Sequence, residues 1–350
     1  MSGPYTLAQL GWKSFFQQQL SVEEWQQGLP ARVVRQQRTK LTLLSEEGPS
    51  KIHILSSMPA ITVGDWLLLD EKRLYQRLLE RTSQFSRKAA GTNKVDTQLI
   101  AANIDTVFIV CSLNQDFNLN RIERYLALAH EANVTPVIIL SKVDQCDSPE
   151  SYIEQTQSLD PLLNVIATNN LDNDSVAQLR PWCKEGDTVT LLGSSGVGKS
   201  TLVNALLGQA IQKTQSIRED DDKGRHTTTG RSLHILPSGG LLLDTPGIRE
   251  LQLADCGQGI EETFTEISEL AAQCKFSDCR HQNEPGCAIH AAIESGELDP
   301  RRFNNYQKLV HEQSVMAASV AEKRARSRSL GRYYRSVLSE SRKQKGYKGK

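Results

Sequence analysis

Residues 193–200 read Gly193-Ser194-Ser195-Gly196-Val197-Gly198-Lys199-Ser200 and fit G-x-x-x-x-G-K-[ST]. An apolar run, DTVTLL, precedes them and an apolar helix-forming run, TLVNALLG, follows from Thr201. That strand–loop–helix context separates a phosphate-binding loop from a chance Gly/Ser turn. Glycines allow backbone N–H groups to turn inward on phosphate oxygens, and the helix start adds the positive end of its dipole. Lys199 is expected to reach the β and γ phosphates, and the Ser200 hydroxyl to ligate Mg²⁺.

About fifty residues on, Asp244-Thr245-Pro246-Gly247 closes the apolar run GLLLD. Alone this is an ordinary turn after a strand. Placed after a phosphate loop it reads as a second switch, with Asp244 on Mg²⁺ and the Gly247 N–H toward the γ-phosphate. Between the two lies Ile217–Arg231, charged and without apolar periodicity. Such a segment either is a plain surface loop or becomes ordered around γ-phosphate and Mg²⁺. Among Thr227, Thr228 and Thr229, Thr228 is the expected Mg²⁺ ligand. Ile248 follows Gly247 where many GTPases carry a water-orienting Gln. His226 is the candidate substitute, against the plain alternative of an exposed loop histidine.

Ser141-Lys142-Val143-Asp144 follows the apolar run VTPVIIL and resembles the guanine motif [NT]-K-x-D. A carboxylate at Asp144 accepts from guanine N1–H and the exocyclic amine, a donor pair adenine lacks. Lys142 can lay its stem over the base, and Ala167, after LLNVI, can offer a backbone N–H to guanine O6. Ser141 departs from the usual Asn, yet its hydroxyl can bridge to neighbouring backbone. The base motif precedes the phosphate loop, whereas ordinary GTPases have the reverse order. Cutting and rejoining a chain at surface loops preserves a sheet, so the order implies a circularly permuted P-loop GTPase domain with a mostly parallel sheet.

The remaining sequence divides around that domain. Residues 1–30 form a polar, Gln-rich arm. Short β-prone runs from Ala31 to Asp70 indicate a small β-barrel or sandwich, an oligonucleotide-binding (OB-like) barrel being one such fold. Segment 77–98 is polar and basic and reads as a linker or flexible loop. The GTPase domain is expected over 99–255 and a helical domain over 256–322. Residues 323–350 are a basic tail with eleven Lys or Arg against one acid, although the chain balances 41 basic against 41 acidic residues. Such a tail either contacts a polyanion or is simply solvated. Without a secretion signal or an apolar stretch of about 20 residues, a cytoplasmic location away from membranes is expected. In that compartment cysteines stay reduced.

Cys274-x4-Cys279-x-His281-x5-Cys287 places four zinc-type ligands within fourteen residues, a set suited to one structural, tetrahedral Zn²⁺. Cys111 and Cys183 sit in or beside apolar segments and read as packing residues. Cys146 and Cys256 suggest no role.

The base motif, then GSSGVGKS, GRHTTT, DTPGIRE and CKFSDCRHQNEPGC, closely resemble the RsgA family of circularly permuted GTPases in small-subunit ribosome biogenesis. The resemblance spans about residues 31–310. It implies an N-terminal OB-like barrel, the permuted GTPase domain and a C-terminal helical zinc-binding domain. It also implies docking on the 30S subunit and its 16S rRNA, ribosome-stimulated hydrolysis of GTP to GDP, and a water-positioning role for His226. The chain is then expected to act as a monomer late in subunit maturation. The alternative is a GTP-binding RNA adaptor with negligible turnover.

Overall fold

The computed structural model describes residues 5–88, 97–114, 116–208, 231–245, 256–282 and 284–315. Its N-terminal part contains α1 (Ser14–Gln17), α2 (Val22–Gln27), β1 (Leu29–Gln36), β2 (Lys40–Ser45), β3 (Gly48–His53), β4 (Trp66–Leu69) and β5 (Tyr75–Leu78). Then come β6 (Gln84–Lys88), β7 (Thr97–Ala102), β8 (Thr106–Ser112), α3 (Leu119–Glu131), β9 (Thr135–Ser141), α4 (Pro149–Gln157) and β10 (Asn164–Thr168). The remainder comprises α5 (Asn173–Ala177), β11 (Thr188–Leu192), α6 (Lys199–Leu207), β12 (Arg231–Ile235), β13 (Leu241–Asp244), α7 (Gly257–Thr263), α8 (Thr265–Ala271) and α9 (Ala288–Ser295). A final helix is described over residues 300–315.

The central sheet runs β10-β9-β8-β11-β13-β12, parallel except for the antiparallel β12. Continuous apolar runs build it because both faces are covered. Side chains alternate along each strand, and β8 shows the result. Val107, Ile109 and Cys111 join a core with Ile122, Leu126 and Ala129 of α3. Phe108 and Val110 instead join Val176 of α5 and Leu202, Val203 and Leu207 of α6. Parallel strands end on one edge, where Ser112, Ser141 and Thr168 lie in register. The phosphate loop and Asp244 leave the same edge.

β1–β5 form an antiparallel unit around Ala31, Val33, Leu41, Leu43, Ile61, Leu67 and Leu69. β1 pairs with β2 along one edge. Its other edge carries β4 over Leu29–Arg32 and then β12 at Arg35 and Gln36. The register of β1 shifts between Val33 and Arg35, the kind of bulge that redirects a strand. One rung therefore crosses three strands, from Arg35 through Ser232 to Asp244.

Within the expected linker of 77–98 the structure instead places the end of β5, the whole of β6 and the start of β7. β6 and β7 pair as antiparallel strands. Phe85 and Ile100 are buried while Gln84 and Gln98 are exposed; the solvated side gave the segment its loop-like composition. In the Gln-rich arm, α2 is started by a capping box between Ser21 and Glu24, which satisfies otherwise unpaired N–H groups. Trp12 meets Trp66 edge-on at 4.8 Å, and Phe16 is buried beside them. Arg32 ties arm, β-unit and central sheet together. It donates to the Leu10 carbonyl at 2.6 Å, the Asn103 carbonyl at 2.9 Å and the Thr188 hydroxyl at 2.9 Å. Burial lowers its pKa to about 10, so it stays charged at neutral pH.

The C-terminal helices pack on α3. A Cβ on Gly259 would stand 2.1 Å from the Ala127 carbonyl oxygen, so only glycine permits this approach of α7. The Gly259 N–H donates to Glu131 at 2.9 Å, and the Cys256 thiol donates to Ala127. Fully buried Glu123 meets Arg301, Arg302 and Asn305. Among the described residues no helix is long and apolar enough to cross a membrane.

Candidate functional site

The phosphate loop leaves β11 at Gly193 and enters α6 at Lys199. Gly193 has φ +142°, and a Cβ there would lie 2.3 Å from the Val110 carbonyl oxygen. Glycine thus lets the loop lie against β8. Val197 is buried in the core shared with Leu202, which anchors the loop from below. Ser195 and Gly196 are exposed, and Ser194, Ser200 and Thr201 are half-buried. Lys199 is only 6% exposed, and its Nζ donates to the Gly193 carbonyl at 2.7 Å and to the Ser194 carbonyl. The loop holds its own ammonium group inward, beside the N–H groups that start α6, so the concavity is electropositive and suited to a polyphosphate.

Ser141 ends β9, and Lys142 takes the left-handed conformation (φ +63°, ψ 37°) that opens the turn over Val143–Gln145. Asp144 is exposed on that turn, while Lys142 and Val143 are half-buried. The fully buried Ser141 hydroxyl donates to the Val197 carbonyl at 2.7 Å. The base-motif turn and the phosphate loop are therefore bonded at one strand-end edge, although 56 residues separate these two positions. The Cys111 carbonyl lies 3.2 Å from the same hydroxyl. Burial pushes the Cys111 thiol up to about 12, leaving it a neutral packing group, and the same holds for Cys183 and Cys256.

Ala167 lies inside β10 opposite Leu140, one residue before the strand ends. The residues after it make the contact with the loop. Thr168 Oγ1 donates to Asn170 Oδ1 at 2.8 Å, and Asn170 Nδ2 donates to the Gly198 carbonyl at 3.2 Å. Sequence reasoning missed Thr168 and Asn170. Their only local signal was a run of polar residues directly after an apolar strand.

Asp244 is half-buried at the end of β13. The adjacent Leu243 carbonyl accepts from Thr190 at 2.8 Å, fixing this strand end beside the loop strand. His226, Thr228 and Gly247 lie outside the described residues, as do Thr227, Thr229, Ile248 and the basic tail.

The Cys/His group is assembled by the start of α9 and the turns before it. The ligand atoms of Cys274, Cys279, His281 and Cys287 all lie within 4.8 Å of one another. His281 Nδ1 stands 3.5 Å from the sulfurs of Cys274 and Cys287, and those sulfurs are 4.0 Å apart. A tetrahedral zinc with sulfur at about 2.3 Å and nitrogen at about 2.0 Å sets such atoms about 3.5–3.8 Å apart. Separation and donor chemistry both fit zinc. Burial raises the Cys274 thiol, but N–H groups of Ala288 and Ile289 and the neighbouring thiols bring it below its ordinary value, while burial and the same neighbouring thiols push Cys279 up to about 11. His281 adopts φ +56° and its carbonyl meets His290 at 3.1 Å.

The RsgA GTPase family model matches residues 78–254. An ABC transporter model matches residues 176–344, just under half the chain, beginning beyond the Ser141–Asp144 turn and including the phosphate loop. Small ribosomal subunit biogenesis GTPase RsgA 2 of Vibrio parahaemolyticus is 58% identical, covering 96% of this chain and 94% of that protein. Small ribosomal subunit biogenesis GTPase RsgA of Mesorhizobium japonicum is 48% identical, over 88% and 90%. The crystal structure of YjeQ from Thermotoga maritima matches with a TM-score of 0.61 at 26% identity, over 82% of this chain and 98% of that one. YloQ, described as a circularly permuted GTPase, shares the fold with a TM-score of 0.58 at 22% identity, over 82% and 95%.

Proposed function

The chain belongs to the RsgA GTPase family and is a circularly permuted P-loop GTPase; from that premise we propose that it hydrolyses GTP as a late maturation factor of the 30S subunit, bound to 16S rRNA and stimulated by the ribosome. The observation that supports the site reading most directly is the bond from Ser141 to Val197. It joins a base-recognition turn to a phosphate loop in a chain whose motif order is reversed.

In this reading Asp144 accepts from guanine N1–H and the exocyclic amine, the Lys142 stem covers the base, and the Ala167 backbone N–H meets O6. The loop N–H groups from Gly193 to Thr201 and the Lys199 ammonium hold the phosphates. Ser200, Thr228 and Asp244 would hold Mg²⁺, which when bound neutralises charge between the β and γ phosphates. The Gly247 N–H faces the γ-phosphate and His226 orients the attacking water. Cys274, Cys279, His281 and Cys287 would hold one structural zinc, supporting a helical domain assigned to 256–322. An arm over 1–30, an OB-like unit with the β6 strand over 31–98, the GTPase domain over 99–255 and the basic tail over 323–350 complete the division of a cytoplasmic monomer. The β-unit and tail contact RNA phosphates, so binding weakens with salt.

GTP turnover titrated with purified 30S subunits tests this function. A saturable rise in turnover, declining as salt is raised, is expected. Turnover that stays negligible at saturating subunit would show a GTP-holding RNA adaptor instead.

A further inference from the structure

The base-motif turn starts with serine where guanine motifs usually have asparagine, and a second polar side chain stands beside it. Gly198 lies between the two: a Cβ on it would sit 2.9 Å from Asn170 Nδ2 and 3.8 Å from Ser141 Oγ. A serine hydroxyl has a single proton to donate. Ser141 uses it on the Val197 carbonyl. The next carbonyl, that of Gly198, accepts from Asn170, which is 7% exposed, beside the first helical bond from the Leu202 N–H. Thr168, in register with Ser141, donates to the other end of the same amide and so orients its NH₂ toward the loop.

We propose that Ser141 and Asn170 jointly hold the phosphate loop in place, which makes Asn170 a positioning residue for GTP hydrolysis. Their targets are consecutive carbonyls immediately before Lys199 and Ser200. Fixing these two peptide planes fixes where the first turn of α6 begins. That sets the direction of the lysine ammonium and the serine hydroxyl, and misplacing such groups by an ångström slows chemistry strongly. Asn170 also follows β10, so the bond ties the loop meeting the base to the loop meeting the phosphates. Asn170 touches neither nucleotide nor water in this account and acts through the loop. The inference rests on reading that loop as the GTP site.

Single-turnover GTP hydrolysis by the full chain, with melting temperature measured alongside, provides the test. Asn170→Ala removes the donor, and Asn170→Asp keeps the volume but cannot donate to a carbonyl. Each is expected to slow hydrolysis about tenfold, the effect of losing one buried hydrogen bond at the site. Adding Ser141→Asn to Asn170→Ala restores an amide beside Gly198 and should return the rate to within about threefold of wild type. A merely structural asparagine would not be rescued from position 141. Wild-type rates in both single variants, or a double variant as slow as Asn170→Ala, would overturn the proposal. Should Asn170→Ala fail to fold, the isosteric Asn170→Asp decides. Lys199→Ala in parallel keeps the premises apart. If it still turns over GTP, the site reading falls; if it is silent while both Asn170 variants match wild type, only the role of Asn170 falls.

Discussion

Arg302 donates to Glu123 at 3.0 Å, and the carboxylate it meets is fully buried. The pair joins α3, on the central sheet, to the final helix. Arg301 and Asn305 complete the grip, while Arg302 also reaches the Thr263 carbonyl at 2.8 Å. Breaking a buried pair on one side leaves uncompensated charge. Glu123→Gln should therefore destabilise the protein by about 3 kcal/mol, seen by calorimetry as an earlier transition. Adding Arg302→Met should recover part of the loss, because the two positions share one interaction.

At the nucleotide site, Lys199→Ala should reduce single-turnover hydrolysis by more than about a hundredfold, since the phosphates lose their principal cation. Melting should change little by comparison. A variant that hydrolyses GTP normally would remove Lys199 from the site.

Asp144→Asn exchanges an acceptor for a donor. GTP affinity should fall about a hundredfold while xanthosine triphosphate gains, because xanthine presents a carbonyl where guanine has its amine. Competition between the two nucleotides, with ATP as control, reads this directly.

Metal analysis of the purified chain should find one zinc per molecule. Cys274→Ser or His281→Ala should lose it and lower the melting temperature, as chelation does when a structural metal is removed. Cys111→Ala should retain the full zinc content.

The junction of α3 and α7 should respond to acid. His130 Nδ1 lies 3.0 Å from the Thr263 hydroxyl, whose proton goes to the Gly259 carbonyl at 2.7 Å. The ring therefore donates from Nδ1. Burial lowers its pKa, with the Glu262 and Asp160 carboxylates opposing. A histidine depressed in the folded state contributes stability above its unfolded value of about 6.5 and loses it as pH falls through the folded value. Wild type should thus lose more melting temperature between pH 7.5 and 5.5 than His130→Gln does. Equal losses would remove His130 from the account.

Much of the nucleotide site was legible because its chemistry is local. Phosphate binding needs glycines, a lysine and a hydroxyl within eight residues, and the clustered Cys and His residues fall within fourteen. The apolar runs also betrayed the strand ends from which these groups leave. Asn170 was invisible because its partner, Gly198, is 28 residues away and the contact depends on the register of parallel strands. Arg32 carries no signal of its own in the sequence, and only the folded chain shows the carbonyls that meet it. The β6–β7 ribbon was hidden by its polar face, with Phe85 and Ile100 among its few buried apolar anchors.

The rung through Arg35, Ser232 and Asp244 has a mechanical meaning. The N-terminal β-unit is no bead on a string; its first strand is stitched to the strand that leads out of residues 209–230. Sliding that strand tugs directly on the carboxylate next to the phosphate loop. Whatever grasps the unit from outside holds one end of a short ladder of paired strands, and the other end is the strand that carries Asp244.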